Sequence, residues 1–374
     1  MIPPSPWTMP PDFRFETDIS LAATIPAGWY RDPAVLGREQ ERVFGRTWQL
    51  VGHADQVQVP GDYFTCTVAD EPLVVCRGED GAVRAFSAVC RHRGGPVAQG
   101  VGHRKSLQCA YHGWTYALDG RLLTTPEFEG VQRFDKAEVC LPRFRTETWG
   151  PFVFVNLDPS APPLAEVLGS LPEETRRLPL GHMSLYKRVD YEVACNWKVY
   201  VDNFLEGYHI PMVHPALFRE LDYAAYRVET RHFHSKQHAP IRPRAEESLY
   251  RRNLEPHEPP EALYYWVFPN VMFNLYPDNL QTNVILPLSA ERTLTRFEWF
   301  VLDPESPGVA EEFAKSFAFS DQTQKEDIAI CEAVQRNLRS RTYERGRYSV
   351  LRENGVHHFH GLLARFLGGE AAGS

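Results

Sequence analysis

The sequence predicts an α+β chain of two domains, a small all-β domain followed by a larger domain of mixed helices and strands. Three observations carry this. From Gln49 to about Asp158 the chain runs in short β-rich stretches such as "GDYFTCTV", "PLVVCR" and "WGPFVFVNLD", divided by turn signals such as "GEDG" and "LDG". "PSAPPL" at 159–164 is then a proline-rich seam. Beyond it, helix-like and strand-like segments alternate.

Taken in order, a proline-rich and mobile lead comes first. In "DPAVLGREQERVFGRTW", Val35, Leu36, Val43 and Phe44 recur at helical spacing behind an Asp32–Pro33 start, so a helix is expected over 33–45. The first domain is expected over 47–158. The second is expected over 159–374, with residues 1–46 as an arm and helix packed on it. Inside it the pattern predicts a helix near 195–210, strands within 264–302 and a helix near 308–340. The tail "GGEAAGS" is expected to be disordered.

Composition narrows the function. At 374 residues with 43% hydrophobic content the chain can bury a sizeable core, and a net charge of −8 argues against nucleic acid as the main partner. Small molecules or other proteins are expected instead. No apolar run approaches the roughly 20 residues that cross a bilayer, and the start lacks a charged segment followed by an apolar one. No membrane association and a cytoplasmic location are expected. Seven cysteines, an odd number, suit reduced thiols with a subset used as ligands.

Two constellations carry chemistry. The first is Cys90, His92, Cys109 and His112, a C-x-H pair and a C-x-x-H pair in the β domain. Four such ligands on two loops can close a site for zinc or for an iron–sulfur cluster. Structural zinc usually takes paired cysteines, whereas each pair here mixes thiolate with imidazole, which suits a binuclear cluster. The other cysteines, Cys66, Cys76, Cys140, Cys195 and Cys331, lack pair spacing and are expected as small core residues.

The second lies in "CNWKVYVDNFLEGYHIPMVHP". Asp202, Glu206 and His209 fall at i, i+4 and i+7, on one stripe of a helix, with Asp202 and Glu206 as the candidate catalytic acids. In an ideal helix His214 would stand about 140° from His209, but Pro211 disfavours helical geometry at Ile210, and a broken turn would bring the rings together. Two histidines and one carboxylate define the facial triad of non-haem Fe(II) oxygenases. Asp327 offers the carboxylate, heading a helical stripe continued by Cys331, Val334 and Leu338, with Glu326 and Asp321 as neighbouring alternatives. "HHFH" at 357–360 is expected to make only packing and polar contacts.

"CRHRGG" and "CAYHGW" resemble the two binding loops of the Rieske [2Fe–2S] family. With the second constellation, the chain is similar to the catalytic subunits of Rieske-type non-haem iron oxygenases. The resemblance implies that Cys90 and Cys109 hold one cluster iron and His92 and His112 the other, with Gly94, Gly95, Gly113 and Trp114 packing around it. Imidazole ligation raises such a cluster to roughly −150 to +300 mV. It implies a helix-grip second domain with an antiparallel sheet over a mononuclear Fe(II) held by His209, His214 and Asp327. It implies a homotrimer in which Glu206 joins one chain's His209 to a neighbour's His112. A flavin- or ferredoxin-type reductase would supply electrons from NAD(P)H, and O2 and a small molecule would be the substrates.

Within that family "LEGYHIPMVHP" and "CAYHGWTYALDGRLL" look closest to the choline monooxygenase, carnitine and betaine demethylase branch. A quaternary nitrogen is held by aromatic faces, for which Tyr264, Tyr265, Trp266, Phe268, Phe273 and Tyr276 are candidates. Strand alternation lets at most half of them face the iron. The alternatives are an aromatic ring or aryl acid as substrate, or, in other classes, an electron carrier or a structural zinc protein.

Overall fold

The computed structural model describes residues 13–176, 179–242, 261–276 and 279–368. The proline-rich lead up to residue 12 and the glycine-rich tail after Gly368, which ends α8, lie outside the described residues. The chain forms two compact units, one of residues 40–164 and one in which residues up to 39 join residues 165 onward.

The first unit is built on a seven-stranded antiparallel sheet. Its strands are β1 (Gln49–His53), β2 (Asp62–Val68), β3 (Glu71–Arg77), β4 (Val83–Ser87), β5 (Val101–His103), β9 (Arg143–Trp149) and β10 (Phe152–Asn156), in the order β1-β10-β9-β4-β3-β2-β5. Three short strands, β6 (Leu107–Gln108), β7 (Thr115–Tyr116) and β8 (Leu122–Thr124), make a second sheet. The continuous apolar run of β3 is explained by burial on both faces. Val74 and Cys76 pack with Leu107, Trp114 and Tyr116, whereas Leu73 and Val75 pack with Phe64, Val153 and Val155. Of the cysteines expected in the core, Cys140 is exposed, at the surface end of an isolated bridge with Arg121.

The second unit also holds a seven-stranded antiparallel sheet. Strands β11 (Met183–Val193), β12 (Arg227–Thr230), β13 (His234–Pro240), β14 (Glu261–Val267), β15 (Val271–Leu275), β16 (Asn279–Ser289) and β17 (Arg292–Leu302) follow the order β11-β17-β16-β15-β14-β13-β12. The helices are α1 (Pro33–Glu39), α2 (Leu164–Leu168), α3 (Leu171–Glu174), α4 (Trp197–Phe204), α5 (Ile210–Val213), α6 (Pro215–Glu220), α7 (Val309–Asn337) and α8 (Asn354–Gly368). None is long and apolar enough to cross a membrane among the described residues.

The helix expected over 33–45 is α1 followed by a π turn over Gln40–Phe44. Glu39 and Lys198 form a fully buried ion pair at 2.6 Å, and the Trp197 Nε1–H donates to Glu39 at 2.7 Å. Removing one partner would strand a buried charge, which ties α1 to α4. The helix expected over 195–210 stops at Phe204. Its cap Leu205 already bonds back to Val201 and Asp202, and Gly207 sits where a Cβ would lie 2.6 Å from the Tyr226 ring.

The three histidines of "HHFH" make local contacts. His357 stacks on Phe15 at 4.7 Å and bonds the Glu16 carbonyl, and His360 lies between Tyr30 and Tyr348. His234 is buried and His358 partly buried, each with one buried ring nitrogen lacking a hydrogen-bond partner among the described residues. Burial, with the neighbouring His234 and His232, pushes the His358 pKa down to about 4, and burial lowers that of His234 as well. The folded protein thus declines protons that an unfolded chain takes up near pH 6.5. Stability is expected to be full above about pH 7 and to fall by roughly 3 kcal/mol for His358 alone as pH drops from 6.5 through 4. Denaturant melts at several pH values, compared between wild type and His358→Phe, check this, since the variant should lose much of that slope.

Candidate metal centres

The cluster loops of the first unit are twins. Cys90 N–H donates to Gly95 O at 2.8 Å and Gly94 N–H returns to Cys90 O at 3.1 Å; Cys109 N–H donates to Trp114 O at 2.8 Å and Gly113 N–H returns to Cys109 O at 3.1 Å. The fourth residue after each cysteine must be left-handed to close this turn. Gly94 and Gly113 stand there at φ +74° and +73°.

This geometry gathers the four expected ligands. Both cysteines are buried, and the His92 and His112 rings lie 4.7 Å apart. Burial raises the Cys90 thiol pKa, partly opposed by its contact with Tyr116 Oη at 3.2 Å. Burial and the neighbouring His92 lower that of His112. His92 stacks on Trp114 at 4.8 Å and 10°. The pocket between the loops fits a sulfur-bridged iron pair on two counts. His92 Nδ1 is buried and without a hydrogen-bond partner among the described residues, and a Cβ on Gly95 would stand 2.8 Å from Cys109 Sγ. Neutral imidazole nitrogen beside two buried thiols is the donor set of a Rieske cluster.

The second constellation forms in the other unit. After α4 ends, Glu206 closes a tight turn by accepting from the backbone N–H groups of Tyr208 and His209. His209 precedes α5, and His214 lies at the junction of α5 and α6, where Pro211 and Pro215 occupy first-turn positions that need no donor. Asp327 reaches across from α7. His209 Nε2 and His214 Nε2 stand 3.8 and 3.0 Å from Asp327 Oδ1, and one ligand atom from each residue lies within 4.8 Å of the others.

Carboxylates behind the rings set their orientation. His209 Nδ1 meets Glu206 Oε1 at 2.7 Å, and His214 Nδ1 meets Glu326 Oε2 at 2.7 Å, so both Nε2 atoms are turned toward Asp327. Asn203 donates to Asp327 Oδ1 at 2.6 Å. Burial opposes protonation of His214, but Asp327 and Glu326 outweigh it and raise its pKa. Two imidazoles and one carboxylate converging with open space beside them fit a divalent iron.

Several expectations need correction. Asp202, Glu206 and His209 do not share a helical stripe, because the helix ends before Glu206. Asp202 touches neither histidine of the pair and instead accepts from Tyr30 Oη at 2.6 Å and contacts His360 Nε2 at 2.9 Å. Glu326 orients His214, and Asp321 accepts from Tyr191 Oη at 2.8 Å, so neither alternative acid lies between the rings. Val334, placed inward by the stripe from Asp327, is exposed, whereas Cys331 and Leu338 are buried.

Beside the triad opens a cavity of about 110 Å³. Of the six aromatic candidates only Tyr264 and Tyr276 line it. Tyr265 faces the other side and donates to Glu174 at 2.7 Å, Trp266 and Phe268 pack on Phe359, and Phe273 follows Tyr265 in register. The remaining rings come from Tyr200, Phe204, Tyr226, Phe297 and Phe319, which sequence reasoning missed. Also missed was a row of buried amides, Gln237, Asn274, Gln281 and Asn283, whose signal was polar residues recurring inside the apolar strands "VMFNL" and "NLQTNVI".

Two family models match the chain, the Rieske [2Fe-2S] domain over residues 47–135 and the ring hydroxylating alpha subunit (catalytic domain) over 180–369. The chain is 35% identical to the chloroplastic choline monooxygenase of Arabidopsis thaliana across 94% of its own length and 85% of the plant protein. It is 32% identical to the carnitine monooxygenase oxygenase subunit of Acinetobacter pittii across 96% and 98% of the two chains. In structure it is similar to the quaternary ammonium Rieske monooxygenase CntA bound to L-carnitine, with a TM-score of 0.81, 28% identity and 93% and 97% of the two chains covered.

Proposed function

The chain belongs to the Rieske-type non-haem iron oxygenases, as their catalytic alpha subunit, and we propose that it oxidises a carbon bound to the quaternary nitrogen of a small cationic substrate. The observation that carries the proposal is the cavity beside His209, His214 and Asp327. Phe204 and Tyr264 meet edge to face at 6.4 Å, Tyr264 and Tyr276 at 6.0 Å, and Glu206 and Asp327 are the acids of the lining. A permanently charged ammonium cannot be neutralised on burial, so it needs ring faces, each worth about 0.5–2 kcal/mol, and nearby negative charge. The similar choline and carnitine monooxygenases support the same substrate class.

When bound, the mononuclear iron supplies oxygen activation, with electrons relayed by the [2Fe–2S] cluster. His209, His214 and Asp327 hold that iron in our reading, and Cys90, His92, Cys109 and His112 hold the cluster. Glu206 and Glu326 fix the imidazole tautomers by accepting hydrogen bonds from the Nδ1–H groups, leaving each Nε2 free for metal. Asn203 occupies one lone pair of Asp327 Oδ1 and limits how that carboxylate turns. The aromatic wall excludes water from the reacting carbon. Asp202 belongs to the support of α4 through Tyr30 and His360 and takes no direct part.

We further assign a homotrimer in which Glu206 links His209 to His112 of the partner subunit, and a flavin- or ferredoxin-type reductase that draws on NAD(P)H. Inter-subunit electron transfer in the similar CntA supports this arrangement. Oxygen uptake with a generic reductase, screened over quaternary amines and aryl acids, tests the substrate class. Uptake coupled to product with quaternary amines is expected, and coupling with aryl acids alone would reverse the assignment.

A further inference from the structure

The amides behind the aromatic rings form one transverse row of the sheet. Gln237 on β13 pairs with Tyr264 on β14, Tyr264 with Asn274 on β15, and Asn274 with Gln281 on β16; Asn283 stands two residues on, over the same face. Three neutral amides on one line beneath a substrate cavity are an unusual choice for a sheet centre, where apolar side chains avoid the cost of desolvation. Some of them are used internally. Gln237 accepts from Tyr226 Oη and donates to Phe204 O, and Gln281 donates to Asn283 Oδ1 at 2.8 Å. Asn274 Oδ1 differs. It is buried and has no partner among the described residues, although its residue lines the cavity.

Charge along the cavity is equally selective. Its lining contains Glu206, His209, His214 and Asp327 as charged or metal-directed groups, and among the described residues no lysine or arginine. A carboxylate lodged against the amide row, away from the iron position, would meet Glu206 and Asp327 as lining acids and, among the described residues, no lysine or arginine. A hydroxyl would instead satisfy the open amide without bringing charge. Size agrees, since 110 Å³ at roughly 10–15 Å³ per water holds on the order of ten water-sized groups.

Resting on the quaternary ammonium reading above, we infer that the substrate's other end is an uncharged hydrogen-bonding group read by Asn274 and its amide row, which makes the preferred substrate an ammonium alcohol of the choline type and not a carboxylate-bearing betaine. The rings of Tyr264 and Tyr276 take the cationic head, and the amide row takes the tail.

The test uses the complete oxygenase with both iron centres. Anaerobic calorimetry gives the affinity for choline, for propyltrimethylammonium, which replaces the hydroxyl by methyl, and for carnitine and γ-butyrobetaine; coupled turnover gives kcat/KM for each. Choline is expected to exceed every other ligand by about tenfold or more, because the methyl-for-hydroxyl analogue leaves a buried amide unpaired and the carboxylates of carnitine and γ-butyrobetaine find no lysine or arginine in the described lining. Asn274→Leu should lower the affinity for choline by about tenfold and so remove most of its preference over propyltrimethylammonium. If that variant does not fold, as judged by its cluster absorption, the wild-type comparison of the two ligands decides alone. Equal affinity for choline and its methyl isostere, or preference for carnitine or γ-butyrobetaine, overturns the inference and leaves the ammonium reading intact. No affinity for any of the four overturns the ammonium reading itself.

Discussion

Glu206→Gln is expected to keep the cluster's visible absorption and reduced-state paramagnetic signal while lowering coupled product formation by about a hundredfold. One oxygen of Glu206 faces His209 Nδ1 at 2.7 Å, and the other closes the turn by accepting from the amides of Tyr208 and His209. All of these positions demand an acceptor. Glutamine offers one acceptor and one NH2 group, so either the imidazole loses its support or the turn opens. The change removes no metal ligand, which is why iron content and cluster spectrum should survive. Single-turnover experiments that follow cluster oxidation in the presence of substrate separate a slowed relay from a damaged site. Full activity in the variant would exclude Glu206 as the link between centres.

Asp327→Ala should lose the mononuclear iron and all turnover while retaining the cluster's pair of irons. Its carboxylate is the meeting point of His214 Nε2, His209 Nε2 and the Asn203 amide, and it completes the one group of metal-directed residues found among the described residues. Iron analysis before and after cluster bleaching, together with the ferrous signal of a nitrosyl adduct, reads this directly. Glu326→Gln provides the graded control, because it holds His214 from behind and should weaken iron binding by about tenfold without abolishing it. Asp321→Asn should do neither, since its partners are Tyr191 and Lys325. Unchanged iron content in Asp327→Ala would redirect the ligand assignment to a neighbouring acid.

The parts of the molecule legible in the sequence are those that short spacing controls. The cluster loops close within five residues of each cysteine, so a C-x-H or C-x-x-H pair followed by glycine carries most of its own geometry. The His209–His214 pair was readable for the same reason, through the helix break at its prolines. What failed depended on distant contacts. The stripe from Asp202 to His209 assumed a continuous helix, and the crowding of Gly207 by Tyr226, a residue nineteen positions away, belongs to tertiary packing. Pocket aromatics were misjudged because strand register decides which side a ring takes, and Tyr264 and Tyr265 took opposite ones. The amide row is contributed by separate strands, β13, β15 and β16, and becomes a feature only once the sheet is assembled.

The catalytic unit is made of two pieces of chain, residues up to 39 and residues from 165, joined through Glu39 with Lys198 and through Tyr30 with Asp202 and His360. The iron–sulfur unit is one uninterrupted stretch inserted between them. During synthesis the inserted module therefore leaves the ribosome whole and can fold at once, at about 5–20 residues per second ahead of everything that follows. The body that houses Glu39 waits until His360 has been translated before its three-way knot can close. Chains that stop between residues 164 and 198 thus present a finished electron store attached to an unfinished reaction chamber, with the buried acid of the first helix still lacking its lysine.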